Sequence, residues 1–220
     1  MIIVPVYNES VRAVDTIRLI LKKTKCGVVV VDDGSTDNSW VTLNKHFGKI
    51  GRVILLRHVI NLGKGAAMKT GCKLAWKMMA DSVIFIDSDG QHNPKYLPKF
   101  EMGLAKYDLV FGFRKLTEEM PFVRKYGNII AKFILRLLFN VNRKEFLCGY
   151  LGLKRSVYDK VEWQSTNYGV ETEIATKVGR NNLKFLEVEI DTIYINKYKG
   201  VSIFDAIKIL FQIPFWYFSK

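Results

Sequence analysis

The sequence predicts a mostly parallel α/β sheet flanked by helices. Three observations carry that expectation. Short apolar runs with few polar interruptions recur through the first half, as strands buried on both faces require. Segments with helical spacing separate those runs, the alternation that builds a parallel sheet. The polar residues that break the pattern gather just after the strands, at the edge where such sheets bind ligands.

The elements follow in chain order. Ile2-Ile3-Val4-Pro5-Val6 reads as a buried strand, and Val11, Val14, Ile17 and Leu21 give helical spacing over residues 9–24. Val28 to Val31 form a second strand that ends at Asp32-Asp33-Gly34. Ser35 and Asp37 look like caps for a helix over 37–47. Val53 to Leu56 form a third strand, residues 64–79 a helix, Ser82 to Ile86 a fourth strand and Leu109 to Gly112 a fifth. Short strands are expected near 151–154 and 185–195. Residues 128–141 and 201–218 are apolar and aromatic, with Lys132 and Arg136 in one and Lys208 and Lys220 close to the other. They are candidates for amphipathic helices at a membrane interface, by apolar burial plus attraction to anionic lipid; packing into the core or a dimer interface is the competing explanation, and Pro214 interrupts the second segment.

Composition narrows the function classes. The chain has 220 residues, 49% of them hydrophobic, enough for a full core. A net charge of +13, from 34 Lys and Arg against 21 Asp and Glu, favours an acidic partner. No nucleic-acid motif accompanies that charge, so no nucleic-acid partner is expected. Cys26, Cys72 and Cys148 form no CxxC pair, which fits a reducing setting. His46, His58 and His92 form no ligand cluster. No leader is expected, because a strand begins at residue 2, and no apolar run reaches the roughly 18 residues of a spanning helix.

Asp87-Ser88-Asp89 is the chemical centre. Two carboxylates two residues apart past a buried strand point to the same side and repel. A divalent cation such as Mg²⁺ or Mn²⁺ resolves the conflict with one or two carboxylates and completes its shell with phosphate and water. Gln91 can add a neutral oxygen. A solvated turn is the competing explanation, and the two acidic strand ends weaken it. Asp32-Asp33-Gly34-Ser35 forms a second cluster, in which Asp32 is suited to accept hydrogen bonds from a base or ribose. In Asn61-Leu62-Gly63-Lys64-Gly65-Ala66-Ala67 the glycines allow close backbone approach and Lys64 can meet a phosphate. The order of these pieces disfavours a dinucleotide-binding dehydrogenase, whose acidic residue follows its glycine loop.

Taken together, Val4-Pro5-Val6-Tyr7-Asn8-Glu9, Val31 to Asp37, Asn61 to Ala67 and Ile86 to Pro94 resemble the family 2 glycosyltransferases of the GT-A fold. Gln91-His92 resembles the dolichyl-phosphate mannose and glucose synthase branch. The second half continues that likeness through Phe113-Arg114, Arg124 and Asn128, Glu145 to Tyr150, Val170-Glu171-Thr172-Glu173, Phe185 to Ile190 and Gly200-Val201-Ser202. It departs from the branch where Glu145 and Glu171 replace aspartates, Asn128 a serine and Glu189 a proline, and where Ile203 stands for a common lysine.

The resemblance implies an inverting hexosyl transfer from a UDP- or GDP-sugar to a polyprenyl (dolichyl) phosphate, at the cytoplasmic face of the cell membrane. The whole chain, 1–220, would be one domain, with 1–115 binding the nucleotide sugar and 116–220 the acceptor. Nucleotide-sugar contacts would come from Pro5, Tyr7, Asn8, Glu9, Asp32, Asp33, Lys64, Asp87, Ser88 and Asp89, and metal ligands from Asp87, Asp89 and Gln91. Arg114, Arg124 and Asn128 would hold the acceptor phosphate, and Asp87, Asp89, Arg114 and Glu173 would make the catalytic set. Two alternatives stay open: transfer to a sugar hydroxyl with Glu173 as base, and a non-catalytic sugar-nucleotide binder at the membrane. No QxxRW follows Glu173, which disfavours a processive polysaccharide synthase.

Overall fold

The structure is a computed structural model and describes residues 1–114, 132–167, 169–191, 212, 213 and 216. Its centre is a seven-stranded sheet in the order β3-β2-β1-β4-β6-β5-β7. The strands are β1 (Ile2–Val6), β2 (Val28–Asp32), β3 (Val53–Arg57), β4 (Ser82–Phe85), β5 (Leu109–Phe113), β6 (Leu151–Lys154) and β7 (Phe185–Glu189). All neighbours pair in parallel except β6, which runs antiparallel to both β4 and β5. Strands β2 and β5 are buried at every position, which explains their unbroken apolar runs.

Helices cover both faces: α1 (Ser10–Lys23), α2 (Ser39–Phe47), α3 (Lys64–Lys77), α4 (Leu97–Lys106), α5 (132–139), α6 (Tyr158–Val161) and α7 (Val170–Arg180). One core layer gathers Val4, Ile17, Val30, Phe100 and Tyr150, and a second gathers Ile3, Val29, Met68, Phe85, Trp163 and Ile174. Tight contact fixes α3 to the sheet, because a Cβ on Gly71 would lie 2.5 Å from Ile3 Cγ2. Among the described residues no helix is long and apolar enough to cross a membrane.

Two local expectations change. Ser35 does not cap α2; its hydroxyl accepts the amide of Asn8, and Asp37 instead receives the Ser39 amide at 2.9 Å. The segments expected at a membrane interface divide. In α5, Leu135 and Phe139 are buried, while Lys132, Phe133, Arg136 and Leu137 are exposed. Trp216 is not an exposed anchor: with Ile213 it is buried in a third core cluster with Leu135, Phe139, Phe146 and Ala175. The rest of 201–218, including Phe211, Phe215 and Lys208, lies outside the described residues, as do Lys220 and the expected strand end beyond 191.

Candidate active site

A cleft of about 580 Å³ opens at the carboxyl edge of the sheet. The ends of β1, β2 and β4 supply Pro5, Tyr7, Asn8, Glu9, Asp33, Asp87, Ser88, Asp89, Gln91 and His92. Asn61, Gly63 and Lys64 enter from the loop before α3, Arg114, Leu147 and Gly149 from around β5 and β6, and Asn167 and Glu171 from the start of α7. Among the described residues, five carboxylates (Glu9, Asp33, Asp87, Asp89, Glu171) face two cations (Lys64, Arg114), so this lining is acidic within a chain of net charge +13.

The carboxylates differ in their surroundings. Lys64 Nζ lies 2.5 Å from Asp87 Oδ1 and 2.7 Å from Glu171 Oε1. Burial disfavours its charge, yet these two carboxylates hold its pKa above the ordinary lysine value. Asp87 is likewise opposed by burial but held below the usual range by Lys64. Asp89 moves the other way, raised first by burial and then by the charge of Asp87, although it accepts the Gln91 amide at 2.9 Å. A carboxylate pair with one member pushed up is the conflict that a cation relieves. Among the described residues no group of three or more His, Cys, Asp or Glu could enclose a metal by itself. Asp87 and Asp89 therefore suit an ion that takes most of its shell from diphosphate and water.

His92, which belongs to no histidine cluster in the sequence, stands against the acidic pair. It is buried, and its Nδ1 lies 3.4 Å from the Asp87 amide, which donates to it. Burial lowers its pKa to about 4, so the ring stays neutral and can accept. A Cβ at position 149 would lie 2.4 Å from Lys64 Nζ and 2.6 Å from Asp87 Oδ2, so a side chain there would displace the ends of both.

Several sequence expectations shift. Asp32 is fully buried, receives the Ser35 amide at 3.1 Å and sits 3.3 Å from Arg57 Nε, without lining the cleft. Its neighbour Asp33 does line it and organises the glycine loop, accepting the amides of Leu62 and Gly63 at 3.0 and 2.8 Å and lying 2.6 Å from His58. Arg114 is buried and grips Glu145 through Nε and Nη2, while its backbone amide donates to the same carboxylate at 2.8 Å. It presents charge to the cleft from a fixed mount, not as a mobile clamp.

Glu173 does not line the cleft. Its carboxylate accepts the amides of Gln164 and Ser165 at 2.9 and 2.8 Å and pairs with Lys177 at 3.0 Å. Burial opposes its charge, and those bonds hold its pKa below the usual value. It braces the loop at 164–165 and does not face the described part of the cleft. Glu171, two positions earlier, is the acid that reaches the cleft. The only advance signal was its place in Val170-Glu171-Thr172-Glu173, which did not say which carboxylate turns inward. Arg124 and Asn128 lie outside the described residues.

Residues 1–162 match the family model described as Glycosyl transferase family 2, which is more than half of the chain. The chain belongs to glycosyl transferase family 2. It is 26% identical to the UDP-N-acetylglucosamine--dolichyl-phosphate N-acetylglucosaminyltransferase of Methanococcus voltae, over 96% of this chain and 93% of that protein. It is 27% identical to the dolichol-phosphate mannosyltransferase of Pyrococcus furiosus, over 98% of this chain and 63% of that protein. In fold this glycosyltransferase matches the Mycobacterium tuberculosis glucosyl-3-phosphoglycerate synthase, crystallised with Mn²⁺, UDP and phosphoglyceric acid, at a TM-score of 0.75. That alignment covers 100% of this chain and 78% of the other at 17% identity, and it shows the GT-A fold.

Proposed function

We propose that this chain transfers a hexose from a nucleotide diphosphate sugar to a polyprenyl phosphate, with inversion, at a membrane surface. The observation that carries the reading is the cleft itself: Asp87, Asp89 and Lys64 converge at the sheet's carboxyl edge in a family 2 glycosyltransferase. The two relatives named above, aligned over nearly this whole chain, are named for transfer to dolichyl phosphate.

A phosphate acceptor suits the geometry. Such an ester, with a second pKa near about 6, is already ionised and needs no strong base. Among the described carboxylates, Asp87 and Glu171 share Lys64, Asp33 holds the glycine loop, and Glu173 is turned away from the cleft. The protein's task is to position the reactants and stabilise the departing diphosphate. Tyr7, Asn8, Glu9 and Asp33 border the nucleotide's side of the cleft, and Lys64 supplies a cation for phosphate oxygens. Asp87 and Asp89, with Gln91 beside them, would hold Mg²⁺ or Mn²⁺, which when bound offsets charge on the leaving group. Arg114, on its Glu145 mount, and Arg124 and Asn128 would face the acceptor phosphate.

The test supplies radiolabelled UDP- and GDP-sugars with a polyprenyl phosphate and scores label in the organic phase. Label should enter the lipid from one donor class. Asp89→Asn should reduce transfer by at least the roughly 10–100-fold that losing a metal's outer-shell partner costs. Transfer into a water-soluble glycan alone would overturn the lipid acceptor. Wild-type rates for Asp89→Asn in EDTA would remove the metal from the reading.

A further inference from the structure

Lys64 has a place in the site that the simple picture of a phosphate-binding lysine leaves out. Its ammonium lies between Asp87 and Glu171, at 2.5 and 2.7 Å. Space is kept for this arrangement, since any side chain at position 149 would strike both Lys64 Nζ and Asp87 Oδ2. The backbone is equally committed. Gly63 has φ +95 and lies against Thr166 and Asn167, and the Gly65 amide donates to Thr166 at 2.6 Å. The base of the lysine is thus held while its flexible stem can still redirect the head.

We infer that Lys64 is a tethered counter-cation that excludes the divalent ion from Asp87 until a nucleotide diphosphate arrives, so that metal and donor enter together. This rests on the proposed nucleotide-sugar site. A divalent cation beside Asp87 faces a positive charge in direct contact with the same carboxylate, which weakens binding of the metal alone. A diphosphate alone meets the acidic surplus of the cleft and is also disfavoured. When both are present, the phosphate oxygens give Lys64 a new partner and Asp87 is released to the ion. Lysine suits the exchange, since its ammonium is a compact charge with three donors on a flexible four-carbon stem. Each ligand then raises the other's affinity by the same factor.

The experiment measures Mn²⁺ binding by electron paramagnetic resonance and by calorimetry, with and without UDP or GDP. It compares the wild-type chain with Lys64→Met and Lys64→Arg. The wild-type chain should bind Mn²⁺ weakly alone and at least about tenfold more tightly with the nucleotide it prefers, a coupling of the usual allosteric size. Lys64→Met should bind Mn²⁺ alone at least tenfold more tightly than wild type and lose most of the coupling. Lys64→Arg, which keeps the charge, should stay close to wild type. If Lys64→Met does not fold, Lys64→Gln applies the same test. Mn²⁺ binding alone that is no tighter in the neutral variants overturns the inference and leaves the nucleotide site standing. A wild-type chain that binds Mn²⁺ with neither nucleotide overturns the nucleotide-sugar reading as well.

Discussion

At the scale of single residues, the cleft is organised by groups whose charge is set by their surroundings. His92 shows this best. It accepts the Asp87 amide as a neutral ring, and burial lowers its pKa from 6.5 to about 4. The unfolded chain therefore takes up a proton below pH 6.5 that the folded chain refuses until about pH 4. Stability rises with pH wherever the unfolded state binds more protons, so this contribution is complete above 6.5 and lost on acidification towards 4. In EDTA and without nucleotide, the urea midpoint should fall as pH drops through that window. His92→Asn, whose amide oxygen can take the same hydrogen bond without titrating, should flatten that part of the profile; an unchanged slope would show that His92 titrates normally. The sequence placed His92 beside the acidic pair but could not give its burial, which comes from Tyr150 and Cys148, over fifty residues away in the chain. The same distance effect hid the division of labour between Glu171 and Glu173. Both stand in one helical turn, and only the loop at 164–165 decides which is used as a brace.

At the scale of elements, most of the strands were legible because each is a short apolar run between turn residues. Helix α4 has no such signal; Pro94 and Pro98 stand at the first turns of the 94–106 segment, where proline is tolerated. Helix α7 was missed as an element because Glu171, Thr172, Glu173 and Thr176 are all buried, which dilutes its apolar period. These acids make α7 a tie between the halves of the chain. Glu173 holds the loop at 163–167, and that loop grips the start of α3: Trp163 Nε1 donates to the Gly65 carbonyl at 2.8 Å. Gly65→Ala tests the grip. In an ordinary helix interior alanine is about 1 kcal/mol better than glycine. Here the new Cβ would sit 2.1 Å from the Ser165 carbonyl oxygen, a backbone atom that cannot swing aside. Overpacking of this kind costs about 1–3 kcal/mol, so the clash should win. Denaturant melts should show net destabilisation together with weaker nucleotide binding. Gly51→Ala, with nothing within 4 Å of the added Cβ, should change neither. Equal stability and nucleotide affinity in Gly65→Ala would mean that the loop yields and does not position Lys64.

At the scale of the whole molecule, the described lining of the cleft is acidic, while α5 carries part of the surplus of +13 next to exposed apolar groups. Phe133 is 71% exposed and Leu137 is 73% exposed, one turn apart, with Lys132 and Arg136 exposed beside them. The opposite side, Leu135 and Phe139, is packed with Ile213 and Trp216. One face of α5 therefore belongs to the core, and the other has the composition of an interfacial helix. Two substitutions separate these roles. Phe133→Ser with Leu137→Ser should reduce co-sedimentation with liposomes. Each large side chain withdrawn from an apolar phase forfeits up to about 1.5–3 kcal/mol, against about 1 kcal/mol for a basic residue near an anionic surface. The apolar loss should thus exceed the loss from Lys132→Ala alone, while the melting temperature stays unchanged. Wild-type binding should strengthen with anionic lipid and weaken with salt. Trp216→Ala should do the reverse of the double variant, lowering stability by about 3–5 kcal/mol through a cavity in the third core cluster. If the double variant binds liposomes like wild type, α5 does not touch the membrane. If it unfolds, its exposed face is covered in the folded protein, and the surface that meets the lipid must be sought elsewhere.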